Sequence, residues 1–213
     1  MKLVIWIIAG LIFVSVASLP GCAHAESSAN AAAFKSTRLQ VFQINYSGEK
    51  EKSFAEGGSG YGVEAYGDWG RPWGRLYTKA RAVQASGRQA FLDGTTASTL
   101  SYTYYQGQFE TGFALFPIPA RDTGLALYIS AGGDVSYNWL TLDSTTLTSL
   151  KRSDSSLGFG YAAGMGVEWT VSKGVGKRNV LTGEITYRVE TASLAGQSSF
   201  DLSGLAIHLG YGW

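Results

Sequence analysis

The chain is 213 residues long with a net charge of +1 and only 15% charged residues, a length suited to one domain. That balance excludes the basic footprint of a nucleic-acid binder, so nucleic acid is not an expected partner. Twenty-eight glycines and 13% aromatics beside a single cysteine point to many strands and exclude a disulfide framework.

Residues 1–25 read as a secretory signal: a basic Met1-Lys2, an apolar stretch from Leu3 to Ala17, then small residues. Two processing readings stand side by side. Ala23-His24-Ala25 fits an A-x-A cleavage site with a mature start at Glu26, whereas Leu19-Pro20-Gly21-Cys22 resembles a bacterial lipobox that would place a lipid on Cys22. Residues 26–36 are mostly Ala, Ser, Asn and Glu without periodicity, a flexible lead, which leaves 37–213 as the folded domain.

Beyond the lead no apolar run approaches the roughly 18 residues of a spanning helix. Apolar and polar residues alternate instead, the period of a strand with two different faces. In Thr37–Ser47, Leu39 and Val41 share one face while Phe42, Ile44 and Tyr46 share the other, which suggests a β-bulge or a poorly patterned strand. Gly60–Trp69 and Arg75–Ser86 read as a hairpin about Arg71-Pro72, with Asp68 opposite Arg75, Tyr66 opposite Tyr77 and Glu64 opposite Lys79. Thr99–Phe116 ends at Pro117-Ile118-Pro119, since proline cannot donate to a ladder. Gly124–Trp139, Ser156–Val171, Leu181–Thr191 and Leu205–Trp213 complete eight strands.

Strands of nine or more residues match the tilted span that a bilayer requires. Gly70–Gly74, Pro117–Asp122 and Ser172–Arg178 are short turns; Gly48–Ser59, Gly87–Ser98, Leu140–Asp154 and Ala192–Asp201 are longer loops rich in Ser, Thr and Gly. Short turns at one end and long loops at the other is the outer-membrane pattern, with turns and both termini periplasmic. The apolar face carries Trp69, Trp139, Trp169 and Trp213, too much volume for the inside of an eight-stranded barrel, so it faces lipid. The expected fold is therefore all-β, an eight-stranded antiparallel up-and-down transmembrane barrel. Outer-membrane lipid is its expected surroundings.

The opposite face gathers Glu64, Asp68, Arg75, Lys79, Arg81, Glu110, Asp134, Glu168, Glu184, Arg188, Glu190 and His208. Buried charges must be paired, so a self-neutralising plug is the structural reading of this set and a selective pore the functional one. Glu184 or Glu190 would reach His208. Catalysis is not expected. His208 is the one histidine of the mature chain, and no nucleophile, metal-ligand spacing or cofactor motif accompanies it.

The last residues, Leu205 to Trp213, read LAIHLGYGW, with one apolar face that ends on Tyr211 and Trp213. This ending resembles the C-terminal assembly signal of outer-membrane barrels, although His208 stands where many such signals carry glycine. Together with the strand count and loop pattern, it resembles the small barrels of the OmpX and OmpA transmembrane-domain type over Thr37–Trp213. The resemblance implies recognition by the barrel-assembly machinery through the C-terminal strand. It leaves three roles open. One is a structural or surface-interaction barrel whose loop 140–154 meets a partner. A second is a narrow pore for small solutes. The third is a lipid-associated barrel, tethered at Cys22 or oligomeric through small outward residues such as Ala65, Ala80, Ala82, Ala131 and Ala163.

Overall fold

The computed structural model describes residues 34–47, 58–93, 96–118, 124–143, 153–174, 177–194 and 197–213. The signal segment, Cys22, the lead to residue 33, and positions 48–57 and 144–152 of two expected loops lie outside the described residues.

Nine strand segments succeed one another: β1 (Phe34–Tyr46), β2 (Ser59–Arg71), β3 (Gly74–Asp93), β4 (Thr96–Ile118), β5 (Gly124–Asp143), β6 (Ser153–Gly174), β7 (Lys177–Leu194), β8 (Gln197–Asp201) and β9 (Gly204–Gly212). Each of β1 to β6 pairs antiparallel with the next, and β9 pairs with both β7 and β1, which closes the ring. β8 and β9 are two parts of one wall strand. They meet β7 in the same register across the break, Thr191 opposite Asp201 and Arg188 opposite Gly204, with an irregularity only further along, between Ala192 and Leu194 of β7. At the break, Leu202 N–H donates to the Glu190 carbonyl at 2.9 Å and Glu190 N–H to the Ser203 hydroxyl at 3.3 Å, so a side chain stands in for part of the ladder there. The result is an eight-stranded up-and-down barrel.

Its size is set by its registers. Stepping around the wall, Ser36 faces Asp68, then come Tyr77, Gly112, Gly132, Ala162, Arg188 and Gly204, and Gly204 faces Tyr46. The circuit returns to β1 ten residues beyond its start. A stagger of that size over eight strands tilts them by about 40° and sets a backbone radius of roughly 8 Å. Such an interior is filled by side chains.

The side-chain alternation is strict on β1. Ser36, Arg38, Gln40, Phe42, Ile44 and Tyr46 are buried inside, while Leu39 and Val41 stand exposed on the outer wall. The register with β2 runs without a shift from Phe34–Gly70 to Asn45–Ser59, so the expected bulge is absent. The apparent switch of faces has a simple cause: the lumen is polar in its middle and apolar towards the loop end. Phe42, Ile44 and Tyr46 join Val83, Ala85, Tyr102, Tyr104, Leu140, Leu194 and Leu202 in an internal cluster there.

The first hairpin is also displaced from its expected register by two residues. Pro72 and Trp73 form a two-residue turn between the paired Arg71 and Gly74, which sets Asp68 opposite Tyr77, Tyr66 opposite Lys79 and Glu64 opposite Arg81. Gly70, at a φ of 149°, supplies the backbone conformation just before that turn, and an added Cβ would lie 2.6 Å from the Gly74 carbonyl oxygen. Two expected loops are strand instead. β3 and β4 stay paired up to Asp93–Thr96, and β7 and β8 up to Leu194–Gln197. Beyond the apolar belt, polar residues suit both faces of a sheet, so alternation fades while backbone pairing continues.

Candidate functional site

Inside the wall, the charged side chains form three tiers. At the turn end, Arg38 Nη2 meets Asp68 Oδ2 at 2.7 Å and Glu168 Oε2 at 2.6 Å, and Arg75 Nη1 meets the same two oxygens at 3.2 and 3.0 Å. Two guanidinium groups and two carboxylates thus make a neutral quartet whose side chains have no solvent exposure. Ser36 donates to Asp68 Oδ1 from both its backbone N–H, at 3.1 Å, and its hydroxyl, at 2.9 Å. Arg38 also lies over the Tyr66 ring and Arg75 over Phe116, at 4.4 and 3.9 Å from the ring centres.

The middle tier joins opposite sides of the barrel. Lys79 Nζ on β3 reaches Glu184 Oε1 on β7 at 2.8 Å, and Ser130 of β5 donates to the same oxygen at 3.2 Å. Arg81 binds Glu64 across the hairpin and Glu110 Oε2 at 2.6 Å on its other side. Tyr77 donates to the other oxygen of Glu110 at 2.8 Å. His208 stacks on Phe42 with ring centres 4.9 Å apart, and its Nε2 shares a hydrogen bond of 2.9 Å with the Thr186 hydroxyl. Its Nδ1 is 3.9 Å from Glu64 Oε2. Glu184 is the register partner of His208, yet its carboxylate is engaged by Lys79; Glu190 lies further along β7, in the next tier.

The upper tier is mostly amide. Arg188 donates to Gln108 Oε1 and to Gln106 Oε1, the latter at 3.1 Å, and its Nε lies 3.3 Å from Glu190 Oε2. Gln106 donates to Glu190 Oε1 at 2.8 Å and to Asn138 Oδ1 at 3.0 Å, while Ser136 donates to Glu190 Oε1. Tyr104 caps Asn138 Oδ1 at 2.6 Å.

The outer wall is the inverse of this interior. On β5 the outward residues Leu125, Leu127, Ile129, Val135 and Tyr137 are all exposed, between 39% and 59%. From Leu125 to Tyr137 the tilted strand rises roughly 30 Å along the axis, the thickness of a hydrocarbon core. Trp69, Trp73, Trp169, Tyr211 and Trp213 are exposed around the turn end, with the Tyr211 and Trp213 rings 6.3 Å apart.

Among solved structures, the chain is similar to the outer membrane protein OprG from Pseudomonas aeruginosa, at 13% identity and a TM-score of 0.50, with 85% of this chain and 95% of that one covered. The fold is that of the small outer-membrane barrels. Similarity at TM-scores of 0.47 and 0.42 is found with Neisserial surface protein A (12% identity, 85% and 96% covered) and with Ail of Yersinia pestis (11% identity, 87% and 100% covered). No family profile matches the sequence, and no curated protein matches it.

Within this barrel fold, each lumen residue singled out from the sequence is buried, Asp134 included. Arg38 was missed. It sits on the strand whose pattern looked irregular, and strict alternation backwards from Phe42 would have found it. The glycines opposite large side chains were also informative. An added Cβ at Gly112 or Gly132 would lie 2.5 or 2.6 Å from the Tyr77 hydroxyl, and one at Gly166 2.5 Å from the Tyr128 ring. Bare backbone is what lets two tyrosines lie flat inside so narrow a wall.

Proposed function

We propose that the chain is an outer-membrane protein with a structural or surface-interaction role, its lumen plugged by ion pairs and its activity carried by the loop end. The observation that carries this reading is the quartet of Arg38, Asp68, Arg75 and Glu168, whose side chains have no solvent exposure. A pore needs a hydrated path, and four fully buried, mutually bonded charges at one end leave little room for it. The apolar cluster of Ile44, Tyr46, Val83, Leu140, Leu194 and Leu202 supports the same reading at the other end. A narrow pore is the alternative role, and planar-bilayer recording separates the two. The purified protein is expected to give no discrete conductance steps; steps abolished by an osmolyte too large for the lumen would establish the pore instead.

For the loop end, the proposed contact surface is the 140–154 region, where Leu142, Leu147 and Leu150 stand among threonines and serines. Deleting Thr145–Ser149 should leave heat-modifiable folding intact and abolish partner or cell binding, whereas unchanged binding would remove this loop from the reading. Catalysis forms no part of the proposal. His208 is fully buried and held between Thr186 and Phe42, so it cannot meet an external substrate.

Both ends of the barrel sequence, Phe34 and Trp213, lie at the end of the short turn Pro72-Trp73, the end proposed to face the periplasm. Residues 1–25 then act as the export signal, either cleaved before Glu26 or processed to a lipid on Cys22; the mass of the mature N-terminus decides between them. The exposed Tyr211 and Trp213 are the proposed mark read by the assembly machinery. Trp213→Ser should lower surface levels severalfold, measured by whole-cell labelling, while leaving the refolded barrel in detergent nearly as stable as the parent.

A further inference from the structure

The lumen charges do not cancel. Among the described residues five fixed cations (Arg38, Arg75, Lys79, Arg81 and Arg188) face seven carboxylates and His208 inside the wall. The imbalance can be located. The turn-end quartet is neutral. In the middle tier each of Glu64, Glu110 and Glu184 has Lys79 or Arg81 against it, and His208 Nδ1 stands 3.9 Å from Glu64 Oε2. In the upper tier Arg188 is the sole cation among the described residues, and its Nε lies against Glu190 while its Nη atoms bond Gln106 and Gln108. That leaves Asp134.

Asp134 is 8% exposed, and neither of its carboxylate oxygens has a hydrogen-bond partner among the described residues. The favourable groups around it are the neutral Gln108 carboxamide and the Arg188 guanidinium, which lies against Glu190. Its surroundings are otherwise acidic. Glu110 is directly opposite on β4, an arrangement that is unfavourable for like charges. On the other side, Glu190 comes next across Gly160, where an added Cβ would lie 3.1 Å from Asp134 Oδ1 and 3.1 Å from the Glu190 Cβ. The nearest atom to that Cβ would be the Val189 carbonyl oxygen at 2.5 Å, so both acidic side chains pack against bare backbone at Gly160. A buried carboxylate with no ion pair of its own is unfavourable, so this position calls for a cation.

We propose that Asp134, beside Glu110 on β4 and one strand removed from Glu190 on β7, binds a small monovalent cation such as sodium. A divalent metal lacks its donor set, since no three His, Cys, Asp or Glu side chains converge to hold one among the described residues. The site goes beyond the ion-paired plug, because it concerns the one carboxylate that those pairs leave over. Absence of conductance leaves the site standing, because the ion needs only to enter, not to cross.

The test compares the purified barrel in neutral detergent at pH 8, in sodium chloride and in N-methyl-D-glucamine chloride of equal ionic strength. The organic cation is too large to follow sodium into the lumen. For the parent protein, the temperature at which the heat-modifiable form is lost should rise by about 3–5 °C per tenfold increase in sodium. For Asp134→Asn the dependence should vanish, and this variant in N-methyl-D-glucamine should be at least as stable as the parent. Equal parent stability in the two salts overturns the proposal. So does a sodium dependence retained in Asp134→Asn, which would place the effect elsewhere. If the parent is indifferent to sodium while Asp134→Asn is stabilised, a proton occupies the carboxylate and the cation site is refuted. Should the variant not fold, sodium-23 linewidths decide on the parent alone: excess broadening displaced by potassium supports the site, and its absence refutes it.

Discussion

Arg38 and Arg75 share the same two acceptors, Asp68 Oδ2 and Glu168 Oε2, so four residues from β1, β2, β3 and β6 depend on one another. Replacing such a group by well-packed apolar residues is often neutral, but removing one member leaves buried charge uncompensated. Glu168→Gln keeps the shape and removes one negative charge of two. It should cost about 3 kcal/mol in urea unfolding of the refolded barrel. Glu64→Gln is the useful comparison. Its partner Arg81 retains Glu110 at 2.6 Å, so the loss should be smaller. If both variants cost the same, the quartet is not a unit and its charges act independently.

β1 is the element that most needs an experimental check, because its sequence reads worst and its structure is regular. Seven of the eight wall strands announce themselves by an apolar outer face against a polar inner one. β1 does so only as far as Val41; from Phe42 onwards its inner face is apolar too, and its outer face turns polar at Gln43 and Asn45. Those two residues bond each other and Ser59 on the outside of the wall, at 2.7 to 3.3 Å, where the neighbouring strands still carry Tyr61, Leu205 and Ile207. Fold class, strand count and the inward charges were thus legible from period alone. The hairpin register was not, because a shift of two residues keeps every side chain on its own face and leaves the pattern unchanged. The pairings inside the lumen were illegible for a related reason. Lys79 finds Glu184 across the barrel, 105 positions along the chain, and only closure of the ring brings them together. The face assignment on β1 can be tested directly. Val41 points outward at mid-belt between Val63 and Leu209, so Val41→Arg should destabilise the barrel in lipid by roughly 2–4 kcal/mol. Gln43→Arg, nearer the loop end, should cost roughly 1 kcal/mol or less. An equal tolerance of arginine at both positions would mean that β1 does not present this face to lipid.

At the scale of the whole barrel, one number ties wall to lumen: the ten-residue stagger on returning to β1. It is fixed only when β9 meets β1, with Val41 opposite Leu209. A slip of two residues at this seam would keep all side chains on their faces, yet change the stagger to eight or twelve. The radius would then move from roughly 8.3 Å to about 7.6 or 9.0 Å, altering the interior cross-section by roughly one sixth. The lumen cannot absorb that. Tyr77 already lies against Gly112 and Gly132, so contraction has no room, while expansion would part Lys79 from Glu184 and Arg38 from Glu168. The interior, and not the seam alone, therefore selects the register. Cysteine pairs read it out. In a Cys22→Ser background, Val41→Cys should be combined in turn with Ile207→Cys, Leu209→Cys and Tyr211→Cys and oxidised in the folded state. Directly opposite residues lie within disulfide reach, whereas those two positions away do not. The Leu209 combination should cross-link almost completely and run faster after boiling without reductant, with the other two largely open. Lys79→Ala supplies the link to the lumen. If interior packing sets the seam, this variant should raise the minor cross-links, and if backbone pairing alone sets it, the pattern should stay as in the parent.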